Sequence, residues 1–218
     1  MTFIKGVINL YFDRYDFFLK LILEHILLSF IAILFITVIG ITIGIYITRN
    51  RSIANLVISV VNFIYTIPSI ALFGVLITIT GIGNKSAIVA LVIYGLLPII
   101  RNTYVGINEV DELIVESAIG MGSTDRQLLL KVQLPIALPV IIAGFRTMVI
   151  MTIALCGIAS FIGAGGLGVA IWRGISTNFP EMTVAGSLLV ALLAIITDLS
   201  LGVLEKKVRK KILGSEVS

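Results

Sequence analysis

Residues 108–135 read NEVDELIVESAIGMGSTDRQLLLKVQLP. The stretch has helical apolar spacing but is too polar to enter lipid. Asp111 stands where an N-cap belongs, and Glu112 follows in the opening turn, favourable at the positive end of a helix dipole. Gly120 and Gly122 stop that first short helix. Thr124 followed by Gln127 matches a capping box, so a second helix starts there and runs through Leu128, Leu129 and Leu130 into apolar sequence. The expected object is a helix-turn-helix held beside a membrane, with a small-residue face at Ser117 and Ala118 suited to a groove on another protein.

Everything around this insert is apolar. Of 218 residues, 58% are apolar and only 13% charged, about half the charge of an ordinary globular chain, and the mean hydropathy is +1.13. Soluble domains, disordered chains, coiled coils and disulfide scaffolds are excluded; the one cysteine, Cys156, cannot form an internal bridge. A helical membrane span needs about 20 mostly apolar residues. Five runs meet that demand, at about 21–48, 53–80, 86–104, 135–161 and 182–204. The fold class read here is therefore an all-α integral membrane protein of five transmembrane helices.

Orientation follows from the basic residues, which are enriched in cytoplasmic loops. With the N-terminus outside and the C-terminus cytoplasmic, ten of the sixteen Lys and Arg fall inside, five outside and Arg146 within a span. The insert then lies in the cytoplasm. The formal charge of +4 comes largely from a basic tail over 206–218, which membrane anchoring explains without nucleic acid. Residues 1–20 lack the features of a cleavable signal. Phe3, Val7, Leu10, Tyr11 and Phe18 recur at helical spacing there, which points to an interfacial amphipathic segment on the outer face.

Glu116-Ser117-Ala118, then Gly122, then Val132-Gln133-Leu134-Pro135 resembles the EAA signature of permease subunits of bacterial binding-protein-dependent ABC importers. Ser for the second residue and Val for Ile are departures that keep size and shape. Residues 66–74 (TIPSIALFG), 97–104 (LPIIRNTY) and 161–168 (FIGAGGLG) resemble the osmoprotectant branch, whose members import glycine betaine, carnitine or choline. Together these stretches cover about 21–205, the expected membrane domain. The resemblance implies a type I importer (MetI-like) permease fold in a bacterial cell membrane, with residues 111–123 as the coupling helix. Glu116, Ser117, Ala118, Gly122, Leu134 and Pro135 are then the ATPase-coupling residues. It also implies two ABC ATPase subunits, a second permease subunit that is the same chain or a paralogue, and an extracellular substrate-binding protein. ATP and Mg would be bound by the partner ATPase, because no Gly-x-x-x-x-Gly-Lys-Ser/Thr loop occurs in this chain and no cofactor is expected in it. A methionine-type amino-acid importer is the competing reading; an ion-coupled secondary transporter, a channel and a purely structural subunit fit less well.

Other features have plainer readings. Gly163-x-Gly165-x-x-Gly168 fits a dinucleotide fingerprint only as a string, since no strand precedes it; close packing or a re-entrant turn is expected instead. His25 reads as an interfacial residue at the outer mouth of the first span, and one histidine makes no metal site. Trp172 and Tyr104 read as aromatic-belt residues. Pro68 and Pro98 lie inside apolar runs and should bend or break them, as kinks or as pathway-adjacent breaks. Arg146 and Asp198 are the charges deepest in the spans, expected to meet as a pair that closes the helix bundle, with substrate or gate contact as the rival role. No aromatic box for a cation is visible in the spans.

Overall fold

Lipid offers backbone groups no partner, so an apolar run must close its hydrogen bonds within a helix. The computed structural model, which describes residues 2–213, is accordingly helical throughout its ordered elements. In chain order these are α1 (Thr2–Asp13), α2 (Tyr15–Ile47), α3 (Arg51–Thr66), α4 (Ser69–Thr80), α5 (Asn84–Asn108), α6 (Glu112–Gly120) and α7 (Asp125–Gln127). A π-helical segment (Leu128–Gln133), α8 (Leu134–Ile158), a 3-10 turn (Ala159–Ile162), α9 (Gly168–Ser176) and α10 (Pro180–Leu213) follow.

Four stretches are long and apolar enough to cross a membrane: Tyr15–Ile47, Asn84–Asn108, Asp125–Ile162 and Pro180–Ile212. The expected second span is not one rod. It is the pair α3 and α4, bent by 99° at their junction. Ile67, driven out of helical geometry by the proline after it, is extended, and its N–H turns back to the Ile64 carbonyl at 3.1 Å. The Tyr94 hydroxyl of α5 donates to the Ile67 carbonyl, fixing the break. Pro98 behaves differently and lies within an unbroken α5. Its neighbours Ile99 and Ile100 are fully buried, so packing on both sides holds the helix together there, while the Asn102 amide donates to the Pro98 carbonyl at 2.8 Å.

α5 runs between α2 and α8 at the centre of the bundle. Ile36, Phe73, Leu91, Ile99, Met148 and Cys156 are fully buried in the core they share. The helices approach closely because glycine and isoleucine interlock reciprocally: a Cβ on Gly40 of α2 would collide with Ile99, and one on Gly95 of α5 with Ile36. α10 packs on α8, α9 and α1. One side of the N-terminal helix packs on protein, with Val7 and Leu10 buried beside Phe18, Met182 and Ala185, while Phe3, Ile4, Ile8 and Phe12 remain exposed. The Tyr11 hydroxyl donates to the Ala185 carbonyl at 2.8 Å, and burial pushes its pKa up, so it remains a donor. α10 carries Lys206 to Lys211 as a continuation of the last span; residues 214–218 of the basic tail lie outside the described residues.

Candidate functional site

At one end of the bundle the 108–135 insert forms the expected hairpin from local chemistry. Asp111 Oδ1 accepts from Leu113 N–H at 2.8 Å and caps α6. After Gly120 the chain reverses through Gly122, whose φ of +82° is a conformation that favours glycine. Thr124 and Gln127 close a full capping box: the Thr124 hydroxyl accepts from Gln127 N–H, and Gln127 Oε1 accepts from Thr124 N–H at 2.9 Å. The helix that starts there loses its ordinary ladder as it nears Pro135, which has no N–H to give. Leu134 N–H reaches Leu129 O, one residue further back than in an α-helix, and the π segment results.

The expected coupling residues do not share one surface. Glu116, Ser117 and Gly122 are exposed, and the Ser117 hydroxyl bonds back to the Leu113 carbonyl at 2.6 Å. Ala118 is buried, with α6 packed on the π segment. Leu134 packs against the main core, and Pro135 lies exposed in the first turn of α8. The exposed surface of the hairpin is mixed, because large apolar side chains stand among Glu116, Ser117 and Gly122: Leu113 is 70% exposed and Met121 82%, with Ile114 and Ile119 beside them. Sequence reading missed these four, although apolar side chains in a polar insert are a signal for a buried partner surface. Behind the hairpin, Thr48, Arg49, Asn108, Asp125 and Gln133 line a cleft of about 350 Å³.

Between α8 and α10, Arg146 and Asp198, both partly exposed, meet at 2.6 Å, Nε to Oδ1. A third member joins them: Arg146 Nη1 donates to Glu205 Oε2 at 2.9 Å. The guanidinium lies across Gly202, where an added Cβ would stand only 3.2 Å from its carbon. Asp198, Gly202 and Glu205 recur at helical spacing, the signal that could have found Glu205.

At the opposite end, the Gly163–Gly168 run is a loop gripped by side chains. Gly165 N–H donates to Asn84 Oδ1 at 3.0 Å and Gly166 N–H to Glu24 Oε2 at 3.1 Å. His25 is not at the interface. It is fully buried, its Nδ1 accepting from Leu167 N–H at 3.3 Å and its Nε2 donating to the Ile153 carbonyl at 3.0 Å. The donor at Leu167 fixes the proton on Nε2 and leaves the ring no free lone pair, so a partly wet position is replaced by a structural one. Among the described residues no group of three His, Cys, Asp or Glu is placed to hold a metal. Two aromatics that the sequence keeps 29 positions apart also meet: Tyr65 and Tyr94 stand edge to face, centroids 5.8 Å apart, beside the break at Pro68. Pro68 itself is exposed at the start of α4.

Residues 36–210 match the family described as the binding-protein-dependent transport system inner membrane component. The chain belongs to this family. The permease is 44% identical, over 84% of its own length and 80% of the relative's, to a glycine betaine/carnitine/choline transport system permease protein of Bacillus subtilis (strain 168). It is 44% identical over 75% of its length to an ergothioneine transport permease/ergothioneine binding protein of Helicobacter pylori (strain G27), and spans 30% of that longer relative. Its fold matches that of the MetNI methionine ABC transporter, solved in inward facing conformations, with a TM-score of 0.77 at 25% identity over 87% of this chain and 95% of that one. The permease therefore has the MetI-like type I importer fold and is a membrane subunit of an ABC importer. Its relatives are transport permeases rather than enzymes.

Proposed function

We propose that this permease forms half of the passage through which an ATP-driven importer takes up a trimethylammonium osmoprotectant of the glycine betaine, carnitine and choline class. The solute class rests on the relatives at 38–44% identity, whose names specify carnitine, choline, glycine betaine or ergothioneine. All four solutes share a trimethylammonium group. The methionine transporter that shares the fold is only 25% identical, which favours the osmoprotectant reading over a methionine-type one.

The mechanism rests above all on the capped hairpin. Two ATPase subunits bind ATP and Mg, and each receives one α6 with Glu116, Ser117 and Gly122 at its surface and Leu113 and Met121 as apolar anchors. The hairpin faces the cytoplasm, as the distribution of Lys and Arg supports, with the N-terminus outside. Ala118, Leu134 and Pro135 act behind that surface, joining the hairpin to α8, so that ATP-driven closure of the ATPase pair tilts α8 as a lever. A second permease subunit, identical or paralogous, completes the passage, and an extracellular binding protein delivers the solute to the far end. Arg146, Asp198 and Glu205 tie α8 to α10 so that the two move together. Pro68, at the exposed break between α3 and α4, and Pro98, within α5, are the two prolines that adjoin the pathway. Opening one face at a time keeps the solute from leaking back.

Uptake of radiolabelled choline and glycine betaine into proteoliposomes holding the permease, its ATPase and its binding protein tests this reading. Accumulation that requires ATP hydrolysis is expected. Accumulation that persists without it refutes the ABC mechanism, and accumulation of methionine alone refutes the solute class.

A further inference from the structure

α3 carries a second pattern that its apolar composition hides. Ser52, Asn55, Ser59, Asn62 and Thr66 recur at intervals of three and four, which places them on one face of the helix. All five are exposed. The opposite face is the packed one: Ala54 is buried, and Val57 and Val61 pack with it against Ile47 and Ile100 of α2 and α5. The polar face thus points away from this chain's own bundle. It cannot be a lipid face, because amide side chains in hydrocarbon have no hydrogen-bond partners.

The stripe leads to the break at Ile67 and Pro68. Non-helical backbone at membrane depth is tolerated only where it is buried in protein or lines a water-filled cavity. By helical rise, Tyr94 lies about 15 Å along α5 from one end and about 21 Å from the other, so the break sits near the middle of the membrane. Three features there favour a cation without fixing one. α3 ends here and presents the negative end of its dipole. Its last-turn carbonyls are oriented rather than tumbling, with Ile64 O held by Ile67 N–H and Phe63 O by the Thr66 hydroxyl. Tyr65 is 40% exposed, held edge to face by Tyr94 and by its own hydroxyl's contact with Met151 Sδ at 3.6 Å, so its ring is a positioned aromatic surface. No member of the stripe is charged, which suits a passage that must release a cation or zwitterion as readily as it receives one.

We propose that the polar face of α3 lines the solute passage and that Tyr65, beside the mid-membrane break, is where a trimethylammonium group rests during transport. The proposal rests on the functional reading above and adds a contact site within the permease itself. A quaternary ammonium ion is attracted to an aromatic face by the ring quadrupole, and desolvation strengthens that attraction. The stripe's amides and hydroxyls serve the solute's polar end and its water.

The test uses the complete importer in proteoliposomes. Tyr65→Phe keeps the aromatic face and Tyr65→Leu removes it. Choline uptake by the Phe variant is expected within about twofold of wild type, and uptake by the Leu variant about three- to thirtyfold lower, the range of a cation–π contact. Both are compared at equal amounts of assembled complex. Uptake by the Leu variant equal to or above that of the Phe variant, at whatever level, overturns the resting site. Separately, Ser59→Cys and Asn62→Cys are expected to react with a water-soluble trimethylammonium thiosulfonate, while the native Cys156, fully buried, stays silent. Absence of reaction at both positions shows the stripe closed against lipid or a second subunit and overturns the lining role. If the wild-type importer carries none of the trimethylammonium solutes, the solute reading fails and Tyr65 as a resting site fails with it. The cysteine reaction still decides whether α3 faces water.

Discussion

Replacing His25 by Leu removes two hydrogen bonds from the interior while nearly preserving volume. The Leu167 N–H that donates to Nδ1 belongs to a fully buried residue, and no water can replace the lost acceptor. An orphaned buried donor costs about 1–3 kcal/mol. For a chain of this size that amounts to a fall in melting temperature of about 2–12 °C. His25→Ala adds a cavity, so it should melt lower still, whereas His25→Gln retains one of the two bonds and should fall between Leu and wild type. The assay is built in: Trp172, the single tryptophan, stands on α9 with its ring 4.7 Å from that of Phe161, next to the loop His25 holds. Its fluorescence during heating in detergent reports when that loop lets go. A Leu variant melting within about 1 °C of wild type would refute the view that His25 clamps the Gly163–Gly168 loop.

Two further perturbations separate local causes. Arg146→Met leaves Asp198 and Glu205 facing each other without a cation, and fluorescence-detected size-exclusion chromatography should show a lower folded yield; replacing all three residues by Met, Leu and Gln should recover it. Failure of the triple variant to recover means the cluster does more than close α8 on α10. In the hairpin, Gly122→Ala forces a side chain into the left-handed region at about 1–2 kcal/mol and should lower solute carried per ATP hydrolysed. Gly120→Ala, with equally open space around it and no positive φ, should be silent, and equal loss in both variants would contradict the turn argument.

The hairpin was readable because its determinants are local. Each cap lies within three residues of the group it bonds, Asp111 with Leu113 and Thr124 with Gln127, so Asp111, Thr124 and Gln127 state their own geometry. The family signature was readable for the same reason. Proline alone was not enough: Pro68 and Pro98 look alike in sequence, yet only the first breaks its helix, because α5 is packed on two sides and the α3 to α4 junction is not. What stayed hidden are meetings between distant segments. His25 finds its partners 128 and 142 residues away, and the Tyr65 to Tyr94 pair joins α3 to α5 across 29 positions. α1 was read as amphipathic, but its spacing carries no mark of whether lipid or α10 receives the apolar face.

The central claim is that the hairpin carries work from an ATPase to the membrane helices, and one cross-link tests it most directly. Ser117 is exposed on α6, and Cys156 is fully buried and silent. A Ser117→Cys permease, assembled with its ATPase in inverted membrane vesicles, should form a short-span cross-link to the ATPase subunit whose yield changes when ATP is added. A cysteine at 117 that is labelled only from the extracellular side, or that never links to the ATPase, contradicts the account.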